Sequence, residues 1–110
     1  MNYVYFIRAD NAVKIGHTNN IDKRVSKFQT GNHNQIEVLL QIPISDIKKV
    51  HLLEKSFHRW FRTYHIQKEW FKYSNLMQSV IDAINEDGIN CVATSLEISH
   101  IYFNGDGVIK

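Results

Sequence analysis

The sequence predicts a small α+β domain, with a mostly antiparallel central sheet of about three strands flanked by helices and a β-like carboxy-terminal tail. Three observations carry this reading. The chain opens on two runs of aromatic and β-branched residues separated by a turn-forming cluster. Apolar residues then recur at helical spacing in three later segments. These segments fall in the order β-β-α-β-α-(β)-α, which favours helices packed on an antiparallel sheet.

Residues 2–8, NYVYFIR, and 12–16, AVKIG, flank Ala9-Asp10-Asn11 and read as a β-hairpin. Residues 18–20, TNN, supply helix caps, and Ile21, Val25 and Phe28 line one face of a short helix that leaves Lys23, Arg24 and Lys27 off the stripe. Thr30-Gly31-Asn32 ends it with a residue able to take positive φ. QIEVLLQI at 35–42 predicts a third, largely buried strand that Pro43 closes.

From Ser45 to about Arg62 a second helix follows, with Ile47, Val50, Leu53, Phe57 and either Trp60 or Phe61 facing the core. Residues 66–72, IQKEWFK, suit one short extended segment. Ser74 or Asn75 caps a third helix whose buried stripe is Leu76, Met77, Val80, Ile81 and Ile84, and Gly88 ends it. Beyond it, NCVATSLEI and HIYF look strand-like, and Asn104-Gly105-Asp106-Gly107 can turn.

A chain of 110 residues has room for one core, read as a domain over 1–88 with 89–110 as its extension. Apolar residues at 44% and charged residues at 22% are those of an ordinary folded protein, which disfavours disorder. No apolar run is long enough for a bilayer, and no basic stretch followed by an apolar one opens the chain, so the expectation is an intracellular protein with no membrane partner. The single cysteine, Cys91, excludes an internal disulfide and a thiolate metal site and is expected to be a small buried hydrophobe. A net charge of +2 permits a polyanionic partner without demanding one.

The first hairpin contains VYFI at 4–7 and ends in KIGHT at 14–18, a lysine, glycine, histidine and hydroxyl that a buried strand has no use for. Downstream stand Arg24 after IDK, Glu54 and His58 four apart on one helix face, and EWF at 69–71. In this order and spacing the pieces resemble the GIY-YIG nuclease superfamily, over residues 3–73. The first motif reads Tyr-Val-Tyr where the family name has Gly-Ile-Tyr, and Lys14 stands at the position of the second tyrosine.

The resemblance implies a GIY-YIG-like fold and an endonuclease that hydrolyses phosphodiesters in DNA with one divalent metal, Mg²⁺ or Mn²⁺, held by Glu69. Tyr5, Lys14, Arg24, His58 and Glu69 are the implied catalytic positions, and Gly16, His17 and Thr18 the substrate-binding ones. A homodimer that makes two cuts is left open.

The residue types suit those roles. Phosphodiester cleavage needs a prepared water, neutralised phosphate oxygens and help for the leaving group. Glu69 offers a hard oxygen ligand of the kind Mg²⁺ takes singly, alongside waters and substrate. Arg24 offers a planar fork that pairs with phosphate at any working pH. Tyr5 is the residue to position or deprotonate the water, on the expectation that Lys14 lowers its pKa. Gly16 marks a bend or a close phosphate approach, and His17 and Thr18 can donate to a phosphate.

Lys23, Lys27, Lys48, Lys49, Lys55, Arg59, Arg62, Lys68 and Lys72 are available to track a phosphate backbone, and Trp60, Tyr64 and Trp70 to stack bases. Two rival readings stand beside the nuclease. One is a DNA-binding module that keeps the fold and cleaves poorly, for which Lys14 in place of tyrosine speaks. The other is a protein-interaction domain in which Lys14, Arg24 and Glu69 lie on separate faces.

Overall fold

The computed structural model describes residues 1–92 and Leu96. Strands β1 (Asn2–Ala9) and β2 (Ala12–Thr18) form the predicted hairpin, closed between Ala9 and Ala12 with Asp10 at φ 58°, a conformation Asp tolerates. β3 (Glu37–Ile44) pairs with the other side of β1. Every pairing in the sheet is antiparallel.

Among the described residues the sheet has five strands where about three were expected, in the order β3-β1-β2-β5-β4. The surplus comes from residues 65–72, which form a second hairpin of β4 (His65–Gln67) and β5 (Trp70–Lys72) instead of one extended segment. Lys68 turns it at φ 49°. Three-residue strands are too short for alternation to announce them. Pro43 lies inside β3, opposite Tyr3, and does not end it. β3 is an edge strand, where the missing N–H deprives no neighbour.

Alternation along β1 and β2 divides the two faces. Val4, Phe6, Val13 and Ile15 point into the main core with Leu40, Ile42 and Ile44 of β3. That core is covered by α2 (Ile47–Trp60) and α3 (Asn75–Asp87) through Val50, Leu53, Phe57, Met77, Val80, Ile81 and Ile84. Phe61, not Trp60, is the fully buried residue at the end of α2. Phe6 meets Phe57 edge to face at a centroid distance of 4.9 Å.

Tyr5 and Ile7 point to the opposite face, where α1 (Ile21–Thr30) covers them with Ile21, Val25 and Phe28. No residue of α1 is fully buried, so it is a partial cover that leaves room beside it.

Each helix starts on a side chain that accepts an orphan backbone N–H: Asn20 from Lys23, Asp46 from Lys48 and Ser74 from Met77. Gly88 ends α3 at φ 84°, and its N–H donates to the Ile84 carbonyl at 2.7 Å. Gly31 ends α1 without the expected positive φ, at −90°; its own N–H and the Asn32 side-chain amide both donate to the Phe28 carbonyl.

Three burial expectations are corrected. Ile47 and Leu76 are each 45% exposed, since they sit in the first turns of α2 and α3, ahead of the inward rows that begin at Val50 and Met77. Cys91 is exposed, and residues 89–92 form a 3-10 turn instead of a strand. Ile89 and Val92 take the inward positions of that turn and Leu96 follows them into the core. The remaining strand-like pieces and the turn at 104–107 lie outside the described residues. No helix among the described residues is long and apolar enough to cross a membrane.

Leu76 and Met77 are adjacent apolar residues of similar size, one 45% exposed and the other fully buried. Met77→Ala is expected to cost about 2–5 kcal/mol and Leu76→Ser less than about 0.5 kcal/mol in denaturant unfolding.

Candidate active site

The hairpin register places Tyr5 directly opposite Gly16. A Cβ on Gly16 would lie 2.6 Å from the Tyr5 hydroxyl oxygen, 2.8 Å from its Cζ and 3.2 Å from Glu69 Oε2. The phenol therefore lies across the space that a side chain at 16 would fill. Among the described glycines only Gly88 has positive φ, so Gly16 supplies room and not a bend.

Glu69 reaches this point because the sheet is cut short there. β2 pairs with β5 only over Ala12–Lys14, which leaves Gly16, His17 and Thr18 beyond the last rung. The Ile15 N–H donates to the Glu69 carbonyl at 3.0 Å and pins that residue to the end of the pairing. Its carboxylate is 3.8 Å from Lys14 Nζ, with the Glu69 side chain 42% exposed. Lys14 is held from the other side by aromatic faces, its Nζ 4.6 Å from the Phe28 centroid and 6.0 Å from that of Trp70.

Arg24 comes from α1. It is partly buried, and its guanidinium is close enough to the Tyr5 hydroxyl to pull the phenol's pKa down. Tyr5, Lys14, Gly16, Arg24 and Glu69 thus converge at one end of the sheet.

The electrostatics of Tyr5 run against expectation. Burial dominates and pushes its pKa up from 10 to about 12; Arg24 pulls it down, while Glu69 and Glu54 push it further up. The anticipated acidification of the phenol by Lys14 is therefore reversed, because the ring is 1% exposed and lies near two carboxylates. At neutral pH the phenol keeps its proton.

The other three predicted residues lie elsewhere. The Thr18 hydroxyl accepts from the Asn20 N–H at 3.1 Å and donates to the Asn20 carbonyl at 3.3 Å, so it shapes the entry to α1 and is already occupied. His17 follows Gly16 and so points to the opposite face, where its Nδ1 lies 2.5 Å from Glu54 Oε2. His58 Nε2 lies 2.8 Å from the Ile15 carbonyl, a contact that makes this nitrogen the protonated one, and 3.8 Å from Glu54 Oε1.

A histidine-rich cleft of about 360 Å³ results on the α2 side, lined by His17, His51, Glu54, Lys55, His58 and Glu69. Glu54 and His51 were not among the sequence-predicted site residues. Their signal was available in His51-x-x-Glu54-x-x-x-His58, which puts three polar groups on one helix face. On the α1 side a second cleft of about 200 Å³ is lined by Thr18, Asn19, Asn20, Lys23, Arg24 and Lys27.

No group of three or more His, Cys, Asp or Glu among the described residues could hold a metal ion. A closed protein cage for a metal is therefore absent from these residues. What the donor set fits is a largely hydrated cation with a single protein carboxylate, for which the half-exposed Glu69 is suited.

Comparison with known proteins places the chain in a family. The profile of the T5orf172 domain matches residues 2–91, and the chain belongs to that family, a phage-associated domain of endonuclease context. No curated protein and no solved structure matches the chain. Every residue of the convergent site lies within the matched span. In this family member Gly16→Ala is expected to force the Tyr5 ring aside, destabilising the fold by about 1–3 kcal/mol in thermal unfolding.

Proposed function

We propose that this T5orf172 domain is a metal-dependent DNA endonuclease of the GIY-YIG type. The observation that carries the reading is the meeting of Arg24, Glu69 and Tyr5 around Gly16, from three separate parts of the chain. A structural salt bridge needs no such convergence, and neither does a solvated helix face.

In this reading Arg24 holds the scissile phosphate and neutralises the charge that builds on its non-bridging oxygens. Glu69 holds Mg²⁺ or Mn²⁺, which when bound supplies Lewis-acid polarisation of the phosphate and acidifies water. Tyr5, protonated at neutral pH, orients the attacking water through its hydroxyl. Lys14 adds positive field beside Glu69 and the phosphate. Lys23 and Lys27 line the cleft next to Arg24 and continue the positive surface along the backbone of the DNA.

His58 has no contact with Arg24 or Tyr5 in this arrangement. Its Nε2 on the Ile15 carbonyl ties α2 to β2, so it positions the strand that carries Gly16. His17 and Glu54 pair with each other in the cleft that Glu69 also lines.

A second reading keeps DNA binding without efficient cleavage. It is favoured by one observation, the raised Tyr5 pKa, which makes that phenol hard to use as a base.

Nicking of supercoiled plasmid with Mg²⁺ separates the two. Glu69→Ala and Arg24→Ala are each expected to lower the nicking rate by about 10²- to 10³-fold, and chelation to abolish it. Arg24→Ala should also weaken salt-dependent DNA retention, which Glu69→Ala should leave intact or strengthen. Unchanged nicking in both variants rejects the site, and retention without metal-stimulated nicking in the parent chain selects the binding module.

A further inference from the structure

Trp70 is a large aromatic residue on a short strand beside the site, partly exposed, and it meets the apolar cluster under α1 only through Phe28. Its neighbours are Phe28, with ring centroids 6.3 Å apart at 58°, and the Lys14 ammonium. Phe28 meets Tyr5 edge to face at 6.3 Å. Tyr5, Phe28 and Trp70 thus form a continuous aromatic wall that begins at the proposed catalytic phenol and ends in solvent. The wall is flanked by Lys14 on one side and by the cleft of Lys23, Arg24 and Lys27 on the other.

The exposed part of the Trp70 indole, continuous with Phe28, offers a flat apolar face on which a partner ring can stack. The surrounding charge selects that partner, since four cations along an aromatic wall repel a basic ligand, add nothing for a neutral one and attract one that alternates phosphates with flat rings. In an intact duplex the base faces are stacked on one another and cannot reach such a wall. We propose that Phe28 and Trp70 form a stacking platform for an unpaired base next to the scissile phosphate, so that the preferred substrate is single-stranded DNA or a duplex with a splayed nucleotide at the cut. This rests on the nuclease reading for which phosphate is cut, and goes beyond it in naming the substrate's form.

The test is a metal-free fluorescence titration of the whole chain. Trp60→Phe removes the only other tryptophan, which stacks on Phe61 away from the wall, so that the signal comes from Trp70. The probes are oligo(dT), an abasic strand with the same number of phosphates, a hairpin duplex and oligo(rU). Oligo(dT) is expected to quench Trp70 and to bind at least ~5-fold tighter than the abasic strand or the duplex. In chains carrying Trp60, followed by anisotropy of the labelled strand, Trp70→Leu should erase that preference and Trp70→Phe restore most of it, with duplex binding unchanged in both.

Equal binding of the abasic strand, or an undiminished preference in a folded Trp70→Leu chain, overturns the platform. Tighter binding of oligo(rU) than of oligo(dT) overturns its assignment to DNA. Because no metal is present, the outcome is independent of cleavage. A chain that never nicks yet shows the quench keeps the platform and loses the nuclease.

Discussion

The site depends on a missing side chain. Gly16 stands opposite Tyr5 in the first hairpin, and the phenol occupies the space a Cβ would need. An aromatic ring laid over a cross-strand glycine keeps the strand pair covered and aims the hydroxyl along the sheet instead of into the apolar cluster beneath α1. Two charged side chains are arranged around that hydroxyl. Arg24 approaches it from the helix above, and Glu69 from the hairpin beside it.

The second condition is the shortness of β5. Had it paired with β2 to the end, the edge of Gly16 to Thr18 would be covered and the two faces of the sheet separated. Pairing stops at Lys14, and Glu69 fills the step, within reach both of Lys14 and of the histidine-lined cleft. Lys14, mostly covered, and the half-exposed Glu69 carboxylate then face one another at 3.8 Å, a long contact that adds little as a stabilising pair.

Much of this was legible in the chain itself. A hairpin with a two-residue turn sets its own register, so VYFI and KIGHT had to face each other, and Arg24 one turn into a helix capped by Asn20 had to lie near them. The T5orf172 match covers that whole span. Less accessible was anything decided by tertiary context. Leu76 and Ile47 are apolar residues near the inward rows and yet sit outside them: Leu76 is turned about 100° from its buried neighbour Met77, and Ile47 stands at the exposed start of α2. Thr18 carries a hydroxyl that suits a phosphate, but the local turn to Asn20 uses it first. The sign of the Tyr5 shift depended on how far the ring is buried, which residue spacing does not report. Glu54 was visible as a partner of His58, and its link to His17 required the fold that brings α2 across β2.

The site stands on the convergence of Arg24 and Glu69, from remote parts of the chain, on the Tyr5 phenol, and the phenol itself is the reporter. Its folded-state pKa is raised, so the stabilising contribution of the neutral form is complete below pH 10 and is lost as pH rises through about 12. Titration of the Tyr5 ring carbon by NMR, in metal-free protein, reads that ionisation directly. The account predicts that Arg24→Gln moves it upward and Glu69→Gln moves it downward from the parent value. A Tyr5 titration indifferent to both substitutions would mean that neither the guanidinium nor the carboxylate is beside it, and the site as described would not exist.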